Sequence, residues 1–399
     1  MTDIRRTILW VIFGFSMVLL WDKWQIHNGK PATFFPSAST VTATATPPKA
    51  AGSATPPGST SAAANAPNTV PGAPVTASAA PTVQRERFIV TTDLLRLTFD
   101  SQGGSLIQTE LLQVAADSAS DKTTSTFTLL QENPARVYVA ESGLIGGDFP
   151  NHTTVMTPSG DRELKPGADA INVRFESPEK NGLKLVKTYT VRRGAYDIAV
   201  RHEVVNTGTA PASPQLYLQI VRDGKDLPGG SSFYSTFTGP AVYTEEHKYQ
   251  KVKFEDIEKN KVDVQKSSDR GYVAMVQHYF ASAWILPDGI KRDLFTRAVP
   301  NTEAPALGQH LYAVGMITNV DAVAPGASKA VDAKFFAGPQ NEKLLERIAP
   351  GLDLVKDYGW LTILAKPLYW LLDKIHSVIG NWGWSIMGLV LLIKLAFYW

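Results

Sequence analysis

The sequence predicts a membrane-anchored all-β domain flanked by transmembrane helices, with an amphipathic interfacial helix ahead of the second span. Three observations carry that prediction. Apolar runs stand near both ends of the chain, short β-branched and aromatic stretches fill its middle, and the hydrophobic period turns helical after about residue 340.

Composition narrows the function classes. The 399 residues suffice for a sizeable core plus membrane segments. A formal charge of +2 offers no electrostatic footprint for nucleic acid. The chain has no cysteine, which excludes disulfides, Cys-ligated zinc or iron–sulfur centres and cysteine catalysis. Nothing in it asks for a cofactor or a metal.

Residues 1–24 read as an N-terminal signal anchor or transmembrane helix. Arg5 and Arg6 precede an apolar run from Ile8 to Trp21. A cleaved signal peptide shares that plan, but the bulky "WDKWQ" stands where a cleavage site needs small residues. Trp21 and Trp24 are expected as interfacial anchors, with the arginines held inside. Residues 25–84 are expected to be a flexible tether, dominated from residue 36 by Ala, Thr, Pro, Ser and Gly and too poor in bulky apolar surface to offset its ordering entropy.

Residues 85–340 are expected to be the β domain. "RFIVTTDLLRLTFDS" and "LIQTELL" flank the turn signal "QGGS". "INVRFES" and "LKLVKTYTV" flank "PEKNG", whose Asn181-Gly182 is a strong hairpin signal. "GAYDIAVRHEVVN", "PQLYLQIVRD" and "GYVAMVQHYFASAWIL" continue the series towards a sandwich. The charged stretch "EEHKYQKVKFEDIEKNK" suits a short helix or an exposed strand.

Residues 341–381 read as a helical connector. "NEKLLERIAP" is a short helix stopped by Pro350. The following stretch sets Leu364, Leu368, Leu371 and Ile375 on one face, and Trp360 and Trp370 add amphipathic rings. A core-facing helix has the same period; the position just before an apolar run favours the membrane interface. Pro367 marks a kink or a helix start within it.

Residues 382–399 begin a second span. From Gly383 to Trp399 the run covers about 24 Å of a ~30 Å hydrocarbon core, so the sequence reads as cut inside it. The span runs inward from the outer face, which places Lys394 about 16 Å along it, around or just past mid-bilayer. A charge there faces protein or a wet cavity, or snorkels to the inner interface.

The stretches "GYVAMVQHYFASAWI" (271–285), "FFAGP" (335–339) and "LDLVKDYGWLTILAKPLYWLLDKIHSVIGNWGWSIMGLVLLIKLAFY" (352–398) resemble the Gram-negative form of the YidC/Oxa/Alb family of membrane protein insertases. The layout matches along the whole chain, although 25–84 carries no identity information. The resemblance implies that 85–340 is a periplasmic β-super-sandwich similar to galactose mutarotase folds. It implies an inner-membrane multi-pass insertase and chaperone, with 25–381 on the periplasmic side. Its partners would be nascent inner-membrane proteins, the Sec translocon with its accessory subunits, and the lipid bilayer. Ribosome contact would need the later spans, cytoplasmic hairpin and basic tail that this sequence lacks. The family keeps a basic residue, usually arginine, facing a hydrophilic groove, and that place falls on Lys394. Lysine keeps the charge but loses the planar fork that grips a carboxylate bidentately.

The competing readings are a membrane-anchored periplasmic carbohydrate-binding or mutarotase-like protein, and a structural envelope adaptor. The first would require His and Glu or aromatic residues converging in a cleft. The candidates include His152, His202, His247, His278 and His310, with Glu203 beside His202, and neighbours on a strand point to opposite faces. The histidines therefore read as surface or satisfied core residues. No zinc or P-loop spacing occurs, so no catalysis is expected.

Overall fold

A computed structural model of the chain describes residues 85–114, 126–225, 237–300, 310–356 and 362–396, with the side chains of 362–364 and 366 excepted. The Arg5, Arg6, Trp21, Trp24 and Trp360 expectations lie outside these residues, as does the side chain of Leu364.

The chain first builds β1 (Arg87–Thr91), β2 (Leu95–Asp100), β3 (Ser105–Leu111), β4 (Phe127–Asn133) and β5 (Arg136–Ile145) as successive antiparallel neighbours. The stretch "RFIVTTDLLRLTFDS" is a hairpin and not one strand. Thr92 turns it, its hydroxyl accepting hydrogen bonds from the amides of Leu94 at 3.4 Å and Leu95 at 3.0 Å. The "QGGS" turn needs both glycines: Gly103 and Gly104 have φ of 71° and 56°, and a Cβ on Gly104 would stand 2.8 Å from the Phe175 ring.

A second sheet starts with β6 (Thr157–Gly160), β7 (Ala170–Glu176), β8 (Leu183–Arg192) and β9 (Asp197–Asn206). Asn181 and Gly182, with φ of 52° and 75°, close the β7–β8 hairpin where the sequence signals it. The chain then returns to the first sheet with β10 (Gln215–Asp223), and adds β11 (Thr238–Thr244) and β12 (Lys248–Lys251) to the second. The charged stretch holds both expected elements, β12 and the short helix α1 (Phe254–Glu258). The remaining strands are β13 (Ser267–Ser268), β14 (Tyr272–Gln277), β15 (Phe280–Ile285), β16 (Arg292–Val299), β17 (Leu311–Asn319) and β18 (Ser328–Pro339).

Among the described residues the strands form two nine-stranded sheets, ordered β1-β2-β3-β4-β5-β10-β17-β16-β13 and β12-β11-β14-β15-β18-β9-β8-β7-β6. Their inner faces share one core, in which Phe99, Leu97, Leu218 and Val314 of the first sheet meet Phe175, Val200, Trp284 and Phe335 of the second. This is the expected all-β sandwich.

Asn341 caps α2 (Glu342–Ile348) by accepting from the Leu344 amide, and the helix ends at Ala349 before Pro350. With the 3-10 turn Leu352–Val355, α2 packs on the outer face of the second sheet. Ala241, Ala274, Ala281 and Ala283 are small enough there to admit Leu345, Leu352 and Val355. Two further helices follow, α3 (Thr362–Ile379) and α4 (Trp382–Ala396). Pro367 lies inside α3, not at its start. No helix among the described residues is long and apolar enough to cross a membrane. The flanking spans therefore stay an expectation, and α4 is an apolar helix of 15 residues.

Candidate functional site: the C-terminal helical hairpin

Gly380, with φ of 70°, ends α3 and turns the chain; its amide donates to the His376 carbonyl at 2.7 Å. Asn381 starts α4, its side-chain oxygen accepting from the Trp384 amide at 3.3 Å. The Ser385 hydroxyl donates to the Asn381 carbonyl at 2.7 Å. His376 stacks on Trp382 with ring centroids 3.7 Å apart. Small residues line the inner side of the hairpin. Ser385 is fully buried, and a Cβ on Gly388 would touch Ile375 at 3.6 Å, an ordinary packing distance.

The rest of the hairpin is turned outward. Of the fourteen large exposed apolar residues in the described chain, twelve lie in α3 and α4, among them Trp370, Val378, Trp384, Met387 and Leu391. An apolar patch of that extent is not stable against water and asks for an apolar neighbour. Of the residues the sequence places on the interfacial face, Leu368, Leu371 and Ile375 are half-buried, whereas Trp370 is 61% exposed. Lys394 is exposed in the last turn of α4.

Two polar contacts tie α3 to the β domain. Lys343 of α2 meets Asp373 at 2.9 Å, and the Lys356 ammonium lies 4.1 Å from the centre of the Tyr369 ring. The hydrogen bond between the first pair raises the Lys343 pKa and lowers that of Asp373.

The histidines fall as the strand pattern requires. His202 is fully buried between the sheets, its Nε2 2.9 Å from the Ser142 hydroxyl, while Glu203 faces outward and accepts from Ser328 at 3.0 Å. His247 and His310 are exposed, and His278 turns the β14–β15 hairpin with φ of 50°. Lys187, fully buried, donates to the carbonyls of Gly103 at 2.6 Å and Ser142 at 2.7 Å, so it bridges the two sheets. Burial lowers the Lys187 pKa to about 7 and that of His202 to about 3. Serine, histidine and lysine thus lie together, but each is sealed in the core at 1% exposure or less, where no substrate reaches. His152 is also buried, and its ring bonds the Tyr217 hydroxyl.

Comparison with known proteins agrees with this layout. The family model for the YidC periplasmic domain matches residues 87–371. The membrane protein insertase YidC of Cupriavidus metallidurans is 51% identical over 99% of this chain and 68% of its own length. Those of Ralstonia nicotianae and Burkholderia multivorans are 48% and 47% identical, over 99% of this chain and 68% and 69% of theirs. Among solved structures, a galactose mutarotase-like protein from Lactobacillus casei overlays with a TM-score of 0.39 at 10% identity, covering 63% of this chain and 100% of its own. A putative aldose 1-epimerase from Escherichia coli gives 0.35 at 8% identity, over 64% and 99%. At such scores the overlays carry no argument about fold or chemistry. The insertase matches span almost the whole sequence at about half identity, and the chain belongs to the YidC family of membrane protein insertases.

Proposed function

We propose that the protein inserts and chaperones inner-membrane proteins, alone or beside the Sec translocon and its accessory subunits, with its β domain in the periplasm. The supporting observation is the hairpin: an outward-facing apolar surface with a single cation, Lys394, among the described residues of α4. In this reading α3 lies in the membrane interface, with Leu364, Leu368, Leu371 and Ile375 beside the ring anchors Trp360 and Trp370. At the other end Arg5, Arg6, Trp21 and Trp24 hold the first helix in register with the bilayer. The β domain keeps the super-sandwich of the family resemblance.

The mechanism needs no covalent step. A charge at mid-bilayer depth costs about 2.5–3.5 kcal/mol on insertion scales, so Lys394 is placed against a wet groove. That groove shortens the apolar distance which a substrate's hydrophilic segment has to cross. The ammonium attracts acidic residues of a short translocated tail, while the substrate's apolar span partitions into lipid.

The test uses variants at the chromosomal locus, with insertion of a small membrane protein bearing an acidic tail as readout. Lys394→Ala is expected to slow insertion clearly, Lys394→Arg to retain most of it, and a substrate with an uncharged tail to be indifferent to both. Equal insertion by all three forms would remove the electrostatic role.

A further inference from the structure

We propose that an open cleft on the outer face of the second sheet binds a saturated medium-chain carboxylate, with Lys334 as the partner of its head group. Register builds the floor. Thr190 of β8 pairs with Ala199 of β9, Ala199 with Lys334 of β18, and Lys334 with Ile285 of β15. Paired residues share a face, so the small Ala199 lies between a threonine and a lysine, with an isoleucine beyond. A wall is made by the end of α2 and the stop that follows it, Ile348, Ala349 and Pro350. The cleft has a volume of about 500 Å³, within the range of ligand pockets. Its mouth faces solvent: Arg201, Asp332, Lys334 and Pro350, which also line it, are all exposed.

The polar groups around the cleft select the occupant. β8, β9, β18 and β15 are interior strands, so the ladders on both sides use their backbone amides and carbonyls. A peptide lying on this floor would bury its own backbone groups without partners, whereas a hydrocarbon chain has none to lose. The Thr190 hydroxyl already donates to the Asn172 side chain at 2.7 Å. Of the charged side chains, Arg201 pairs with Asp332 at 3.3 Å, and Asp288 is close enough to Arg270 and Arg292 to act on both. Lys334 takes part in no ion pair among the described residues. The unmatched charge is thus one cation at the rim of an apolar cleft. An anionic head on an apolar tail complements it: the carboxylate meets the Lys334 ammonium, and the tail lies over Ala199 against Ile285, Ile348 and Pro350. The site is independent of Lys394 and asks for no chemistry on the ligand.

The experiment is photo-crosslinking of the full chain in nanodiscs with a diazirine-bearing decanoic acid, the labelled peptides being mapped by mass spectrometry. Position separates the cleft from the bilayer, because probe dissolved in lipid labels the apolar hairpin. Label is expected in the segments around Ile285 and Pro350, and plain decanoate should compete it away. It should fall several-fold in Ala199→Phe, which fills the floor, and in Lys334→Glu, which inverts the charge. The corresponding diazirine alcohol should label the cleft weakly and be indifferent to Lys334→Glu. Label confined to α3 and α4 overturns the proposal, as does acid label in the cleft that survives Lys334→Glu. Displacement of the probe by an apolar peptide with a free carboxylate, more strongly than by decanoate, overturns the ligand class. Should Ala199→Phe fail to fold, judged by its thermal transition, the exposed substitution Lys334→Glu decides.

Discussion

Trp284 of β15 is 1% exposed, and Trp370 of α3 is 61% exposed. Both are large amphipathic rings, yet the chain treats them in opposite ways. Trp284 is wedged between the sheets, its ring centre 4.8 Å from that of Phe335, and its indole N–H donates across the sandwich to the Gln219 carbonyl at 3.0 Å. Trp370 belongs to a hairpin whose apolar side chains mostly point away from the protein. The β domain satisfies its apolar surface internally, whereas α3 and α4 hold theirs ready for another apolar phase. One chain therefore contains a part whose stability is intrinsic and a part whose stability depends on its surroundings.

The same substitution at the two tryptophans breaks or sharpens this contrast. Trp284→Ala removes a fully buried ring together with its indole hydrogen bond to the Gln219 carbonyl, and is expected to cost about 3–5 kcal/mol in denaturant unfolding of the β domain. Trp370→Ala is expected to leave that unfolding midpoint unchanged, and to reduce quenching of the protein's tryptophan fluorescence by brominated lipid in vesicles. A loss of β-domain stability in Trp370→Ala would show that α3 is part of the folded core.

A smaller effect comes from pH. The folded pKa of Lys187, about 7, lies below its ordinary value of 10.5, and that of His202, about 3, lies below 6.5. Between the two values of each group the unfolded chain binds more protons than the native one, so stability rises with pH. For Lys187 the window is pH 7 to about 10.5, and for His202 pH 3 to 6.5. Unfolding free energy is expected to climb by roughly 1 kcal/mol per pH unit between pH 7 and 9. Lys187→Met should flatten that slope even where it lowers stability by leaving two carbonyls unpaired. An unchanged slope in the variant would assign the titration elsewhere.

How much of this was legible beforehand follows from how local each signal is. Asn181-Gly182, the Pro350 stop and the "QGGS" turn are short-range instructions, and each stands in the structure where the sequence places it. The β14–β15 hairpin was less readable, because His278 and Tyr279 are not the residues that usually announce a tight turn. Inspecting histidines and their sequence neighbours pointed to His202 and Glu203, which the pleat sends to opposite faces. Lys187 escaped notice because a lysine among alternating apolar residues reads as solvent-facing, and its burial is a property of the partner sheet's carbonyls.

The smallest expected effect lies where the two regions meet. Lys343–Asp373 is an exposed pair, and such pairs add little to folding because water screens them and two long side chains must be ordered. The Lys356–Tyr369 contact acts beside it and is of the same modest class. Asp373→Asn alone should therefore leave both β-domain unfolding and amide hydrogen exchange in α2 unchanged. Asp373→Asn combined with Tyr369→Ala removes both ties, and should speed exchange in α3 while leaving the strands protected. Raising the salt concentration should mimic the single substitution and not the double one, since screening acts strongly on the exposed ion pair and less on a contact held by ring packing. A β-domain midpoint that moves with Asp373→Asn would mean that the hairpin stabilises the sandwich. The division into an internally satisfied part and an environment-dependent part would then be too sharp.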